Sequence, residues 1–251
     1  MKCYLLLYGI GRNKENIKSV INFFQFIEPE IIIYYSYLKV KNINNERTSE
    51  YGNISYKNIN RIVENTEEIK IDENIKSSLL NYSKKFEDGH CDSYKSNSNL
   101  INQLFILKNL YTKIQNIESN EHVIVFRDDI KFDRVSKLIF KIMWKKIKIS
   151  NKVCLSAFSW HGGFNDKFFI SNKKNAEILL NRIDYAKDST SFYKHLNAEE
   201  LLLFISQKFN LKIYPIFCRV GRVRINGSVK WDPFFPRLTR INDLVRVVRH
   251  L

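Results

Sequence analysis

Apolar residues follow two rhythms along this chain. Residues 3–9 (CYLLLYG) form a short continuous apolar run closed by glycine, the pattern of a strand buried on both faces. Ile17, Val20, Ile21, Phe24 and Ile27 recur at helical spacing over 13–27, and Pro29 ends that helix. The run EIIIYYSYL (30–38) is β-branched and aromatic and predicts a second strand. Strand, helix, strand is the order of a parallel α/β unit.

Residues 41–98 are polar, with weak strand patterns at 54–56 and 67–71 and a loop-like composition over 85–99. From Asn99 the rhythm returns: an amphipathic helix with Leu100, Leu104, Leu107, Tyr111 and Ile114 near one face, then a strand at 121–126. A basic amphipathic helix is expected over 135–149, a strand over 153–160, a glycine-rich turn (HGGFND) at 161–166 and a strand over 167–172. Helices follow at 174–187 and 196–209, then one or two strands within 211–226 and a short helix at 240–250. No internal repeat is present. The expected class is α/β, with a mostly parallel central sheet flanked by helices.

Bulk properties narrow this picture only a little. A chain of 251 residues suffices for one large domain, and 44% hydrophobic with 27% charged residues is ordinary for a globular protein. The net charge of +15 favours an anionic partner: nucleic acid, a phosphorylated small molecule or an anionic membrane surface. Lysine-rich coding and solubility explain the same number equally well. Cys3, Cys91, Cys154 and Cys218 have neither zinc spacing nor a disulfide pattern, and three of them sit in apolar runs as small buried hydrophobes of a reducing compartment. The first apolar run is too short for a secretory leader, and nothing approaches a membrane span. The expected location is the cytoplasm, with a basic surface suited to the inner face of the membrane.

Candidate chemistry concentrates in VIVFRDDIKFD (123–133). Ligands of an α/β sheet bind beyond the carboxyl ends of its parallel strands, where Arg127, Asp128 and Asp129 should lie. Grouped carboxylates are hard oxygen ligands suited to Mg²⁺ or Mn²⁺ on a diphosphate, with Arg127 on the same side as Asp129. The competing reading is a turn with a surface ion pair.

The order of short motifs resembles bacterial GT-A-type glycosyltransferases of lipopolysaccharide and capsule synthesis, the WavE-like group in particular. Those enzymes carry Asn-x-x-Arg-Gln on a helix, a strand ending in a variant of Arg-Ser-Asp-Leu, a Phe-x-x-(Ser/Asn)-Asp stretch and a later helix opening on an acidic pair. This chain has Asn99 to Gln103, VIVF-Arg127-Asp128-Asp129-Ile130, GGF-Asn165-Asp166-KFF and Ala198-Glu199-Glu200, over about 95–205. It departs at Asn102, where the family has arginine.

The resemblance implies a GT-A-like catalytic domain over 1–226 and a basic extension over 227–251. It implies a nucleotide-sugar donor, a saccharide or lipid-linked acceptor and no nucleic acid. Gly9, Arg12, Gln103, Arg127 and Asp128 would contact the donor. Asp129, with Asp128, would hold Mn²⁺ or Mg²⁺. Asp166 is the first candidate for the base that takes the acceptor's proton, and Glu199 the second. Residue by residue, Asp166 also fits an Asn-Asp turn, and Glu199 a first-turn acid behind an Asn197 cap. His161 and His195 read as structural. A basic nucleic-acid-binding protein or a metal-dependent nuclease is the alternative. The basic cluster at 137–148 and the arginines from 219 to 249 would supply the membrane-facing surface.

Overall fold

The computed structural model describes residues 2–40, 42–45, 50–56, 59–89, 91–157 and 163–232. His161 and the helix expected over 240–250 lie outside them.

The main sheet has seven strands. β1 (Cys3–Gly9) is central, with β2 (Ile32–Tyr37) and then β5 (Asn65–Glu68) on one side. On its other side lie β6 (His122–Arg127), β9 (Phe168–Asn172), β8 (Val153–Ser156) and β10 (Ile213–Ile216). Only β9 runs antiparallel to its neighbours, so the sheet is mostly parallel, as expected.

Alternation along the strands builds two cores. Tyr4, Leu6 and Tyr8 of β1, with Val123 and Val125 of β6, enter one. α2 (Glu73–Ser83), α3 (Lys95–Ile114), α5 (Lys173–Leu180), α6 (Ala186–Tyr193) and α7 (Ala198–Lys208) supply residues to that side or pack beside it. Cys3, Leu5 and Leu7, with Ile124 and Phe126, enter the other core, under α1 (Lys14–Ile27) and α4 (Arg134–Lys148). There Phe24, Phe126, Phe132 and Phe140 pack edge to face or tilted, with centroids 5.3–6.5 Å apart. Cys3, Cys154 and Cys218 are buried in apolar surroundings.

Two smaller sheets attach at one end. β7 (Ile130–Phe132) leaves the main sheet directly after β6 and pairs with β11 (Val220–Val223), which pairs with β12 (Val229–Trp231). The hairpin of β3 (Asn42–Asn45) and β4 (Glu50–Asn53) follows β2. Among the described residues no helix is long and apolar enough to cross a membrane.

Local chemistry explains the differences from the expected pattern. The helix expected over 174–187 is two: Asn181 caps α5, its side-chain amide donating to the Glu177 carbonyl, and a 3-10 turn precedes α6. α2 was hidden because it buries only Leu79 and Ser83. α3 starts four residues earlier than expected, after Asp92 accepts from the Ser96 amide.

Candidate active site

The chain order places the topological switch between β1 and β6, because the connection from β1 leads one way to β2 and the sheet resumes on the other side at β6. The carboxyl ends of these two strands carry GIGR (9–12) and Arg127-Asp128-Asp129.

The two acidic residues take different surroundings. Asp128 is buried beneath the GIGR turn, its Oδ2 accepting from the Gly11 amide (2.7 Å) and the Tyr35 hydroxyl (2.8 Å). Gly11 has φ +66°, a left-handed conformation that glycine adopts without steric cost. Gly9 lies so close that a Cβ built there would overlap the Asp128 carboxylate. Asn16, buried in the first turn of α1, donates to the Asp128 and Ile130 carbonyls (2.8 and 3.0 Å) and fixes the turn from below. Burial and the neighbouring Asp129 charge push the Asp128 carboxyl up to about 6, against the pull of Tyr35 and Gly11.

Asp129 is the hub of an arginine cluster. Arg127 grips it bidentately, Nε to Oδ1 at 3.0 Å and Nη2 to Oδ2 at 2.9 Å. Arg222 Nε donates to Oδ2 at 2.9 Å, and Arg12 Nη1 stands 3.9 Å away. Burial alone would raise the Asp129 carboxyl, but Arg127, Arg222 and Arg12 together hold it well below the usual carboxylate range. Strand pairing makes this arrangement: Arg222 lies opposite Ile130 in the β7–β11 register, and the Val223 amide donates to the Asp129 carbonyl at 2.6 Å. Buried Glu50 of β4 ties the cluster together, accepting from Arg12 (2.9 Å), Arg224 (3.0 Å) and the Ile225 amide (2.9 Å). Four guanidinium groups (Arg12, Arg127, Arg222, Arg224) thus gather around the carboxylates of Glu50 and Asp129, with Asp128 next to them.

A divalent ion does not fit these side chains. Both oxygens of Asp129 accept from guanidinium groups, and Asp128 turns one oxygen to Gly11 and Tyr35 and the other to Gly9. A cation beside Asp129 would also meet three guanidinium charges. Among the described residues no three His, Cys, Asp or Glu side chains converge for a metal. The two acids expected from the sequence to hold a cation are thus engaged, Asp129 by guanidinium groups and Asp128 by Tyr35 and the Gly11 amide.

Asp166 and Glu199 come together beside Arg127. Asp166 is buried between Phe164 and β9, and its carbonyl accepts from the Tyr8 hydroxyl at 3.2 Å. The Glu199 carbonyl accepts from the Phe164 amide at 3.0 Å, and a Cβ on Gly163 would strike that same carbonyl. The glycine therefore lets the loop close onto α7. Burial, then the Asp166 charge, push the Glu199 carboxyl up to about 8, with Lys167 and Arg127 pulling against them. Asn197 caps α7 through the Glu199 and Glu200 amides (2.8 and 3.1 Å), so this acid is both a first-turn residue and a member of the pair. His195 pairs with Glu200 at 2.7 Å.

Gln103 is half-buried on α3, and among the described residues no hydrogen bond or ion pair joins it to the arginines. Sequence reasoning missed Glu50, Tyr35, Arg222 and Arg224. It placed the arginines from 219 onward on a membrane-facing surface, but Arg222 and Arg224 turn inward, and Arg219 donates to the Asp232 carbonyl. Their signal was the spacing RVGRVR, in which Arg222 and Arg224 fall on one side of an extended chain.

No protein-family model matches the chain, and no curated protein matches it. Several solved structures overlap it loosely. Mouse xyloside xylosyltransferase 1, in its apo form, is 10% identical, with 85% of this chain and 84% of that one covered and a TM-score of 0.41. The galactosyltransferase LgtC, in complex with donor and acceptor sugar analogs, is 10% identical over 80% of this chain and 69% of its own, with a TM-score of 0.44. The 2-C-methyl-D-erythritol 4-phosphate cytidylyltransferase of Francisella tularensis is 11% identical over 100% of both chains, with a TM-score of 0.42. Overlaps this loose join sugar transferases and a nucleotidyltransferase alike, and they carry no argument about chemistry.

Proposed function

We propose that the chain is a GT-A-type glycosyltransferase that moves a sugar from a nucleotide-sugar donor to a saccharide or lipid-linked saccharide in surface polysaccharide synthesis. One observation carries the reading. Arg127 stands between an arginine cluster at the sheet's switch point and the carboxylates of buried Asp166 and half-buried Glu199, so a site for anion binding and one for proton acceptance adjoin at one side chain.

Each half suits one half of the reaction. Guanidinium forks match phosphate oxygens bidentately, and on this reading Arg12, Arg222 and Arg224, each now paired with Glu50 or Asp129 through one nitrogen, turn their remaining N–H groups to the donor's diphosphate. When the bond between the anomeric carbon and the phosphate oxygen breaks, negative charge grows on the leaving diphosphate, and fixed positive groups stabilise it. The acceptor hydroxyl forms the new bond to the anomeric carbon and gives its proton to Asp166. Burial and the Asp166 charge favour the neutral form of Glu199, which limits the negative charge near the leaving group. The motif order over 95–205 supports the same assignment.

Thermal shift with a panel of nucleotide-sugars tests the proposal. A stabilising nucleotide-sugar should raise Tm, by about 2.7 kcal/mol of folding free energy at 100 times its Kd. Incubation with a saccharide acceptor should then release the nucleoside diphosphate. Stabilisation by oligonucleotides and by no nucleotide-sugar would overturn it.

A further inference from the structure

α4 carries two apolar faces. Ser136, Phe140, Trp144 and Ile147 are buried against the sheet. Val135, Leu138 and Ile142 lie about half a turn away and are 56%, 58% and 71% exposed, and Ile149, next after the helix, continues the stripe at 83%. Beside it stands Phe26 of α1, 64% exposed, under the Lys141 ammonium at 4.6 Å.

The charges around this stripe are predominantly basic. α4 holds Arg134, Lys137, Lys141, Lys145, Lys146 and Lys148 and no acid. The nearest acids are engaged: Glu28 accepts from Trp144 and Lys148, Asp133 caps the helix, and Glu15 pairs with Lys18. Exposed apolar side chains on a convex helix, flanked by lysines, match the interface of an anionic bilayer: the apolar tips enter the headgroup region and the ammonium groups meet lipid phosphates.

We infer that the outer face of α4, with Phe26, docks the protein on an anionic membrane surface. The inference stands apart from the transferase reading, and of the two basic stretches expected at the membrane it keeps the one on this helix.

The test is co-sedimentation of the full chain with phosphatidylcholine vesicles, with and without phosphatidylglycerol. Binding should require the anionic lipid and weaken with salt. Lys141→Gln combined with Lys145→Gln should weaken it about thirty-fold, two charges' worth. Leu138→Ser combined with Ile142→Ser should remove binding while Tm and any nucleotide-sugar thermal shift stay unchanged. Equal partition onto neutral vesicles, anionic binding indifferent to both pairs, or a dimer in solution that the Leu138/Ile142 variant dissociates would each overturn the inference.

Discussion

Gly9 and Asp128 touch across the switch point, with no room between them for a side chain at residue 9. Gly9→Ala must push either the β1 turn or the acid aside. The expected cost is about 1–3 kcal/mol, the range for overpacking a filled site. Asp128→Ala in the same chain should recover part of it. Urea unfolding of the single and double variants measures both, and a neutral Gly9→Ala would mean the contact is not as close as described.

Asp129→Ala leaves Arg127 and Arg222 without their shared counter-charge in a buried setting. The expected loss is about 3–5 kcal/mol. The pH dependence has a definite sign. The folded carboxyl lies below its ordinary 3.8, so its contribution is full above that value and fades as pH falls beneath it. Wild type should therefore lose stability in acid along a limb that Asp129→Asn flattens, as read by urea midpoints across the acid range.

Glu199 carries the opposite sign. Its folded carboxyl lies near 8 against an ordinary 4.5, so its contribution is full below 4.5 and lost as pH rises through about 8. On the transferase reading, sugar transfer should fall only at the upper end of that window, as the folded carboxyl ionises and puts Glu199 charge near the leaving diphosphate. Glu199→Gln should keep activity and flatten the alkaline limb. A rate that climbs through pH 8 in wild type would make Glu199 itself the base, and Glu199→Gln would then lose roughly 10²–10⁴-fold.

If the arginine cluster serves the donor's diphosphate without a metal, transfer should survive EDTA. Arg222→Ala removes the most exposed guanidinium of the cluster, 36% accessible, and should weaken donor affinity about tenfold or more, the scale of one charge-assisted hydrogen bond. Calorimetric titration of a nucleoside diphosphate, with and without Mn²⁺, gives the answer. Binding that appears only with Mn²⁺ would restore the metal.

Much of the frame was legible because it is local. Runs such as CYLLLY and HVIVFR state their own strands, and Ile17 to Phe24 state their helix. The site was legible only where one segment contained it, as in Arg127-Asp128-Asp129. Glu50 reaches Arg224 across 174 positions and Asp129 reaches Arg222 across 93, and no periodicity records either meeting. Charge in a strand reads as surface until its pairing partner is known. β7 turns Arg222 inward by pairing with β11, a choice made by the three-dimensional register alone.

The three-stranded sheet of β7, β11 and β12 hangs from the seven-stranded one directly after Asp129. Its tilt and the aim of Arg222 are one coordinate, since the Val223 amide and the Arg222 guanidinium both end on that acid. If an anion binds at Arg222 as proposed, its hold on that side chain is linked to the position of the whole appendage, and by reciprocity whatever steadies the appendage tightens the grip on the anion.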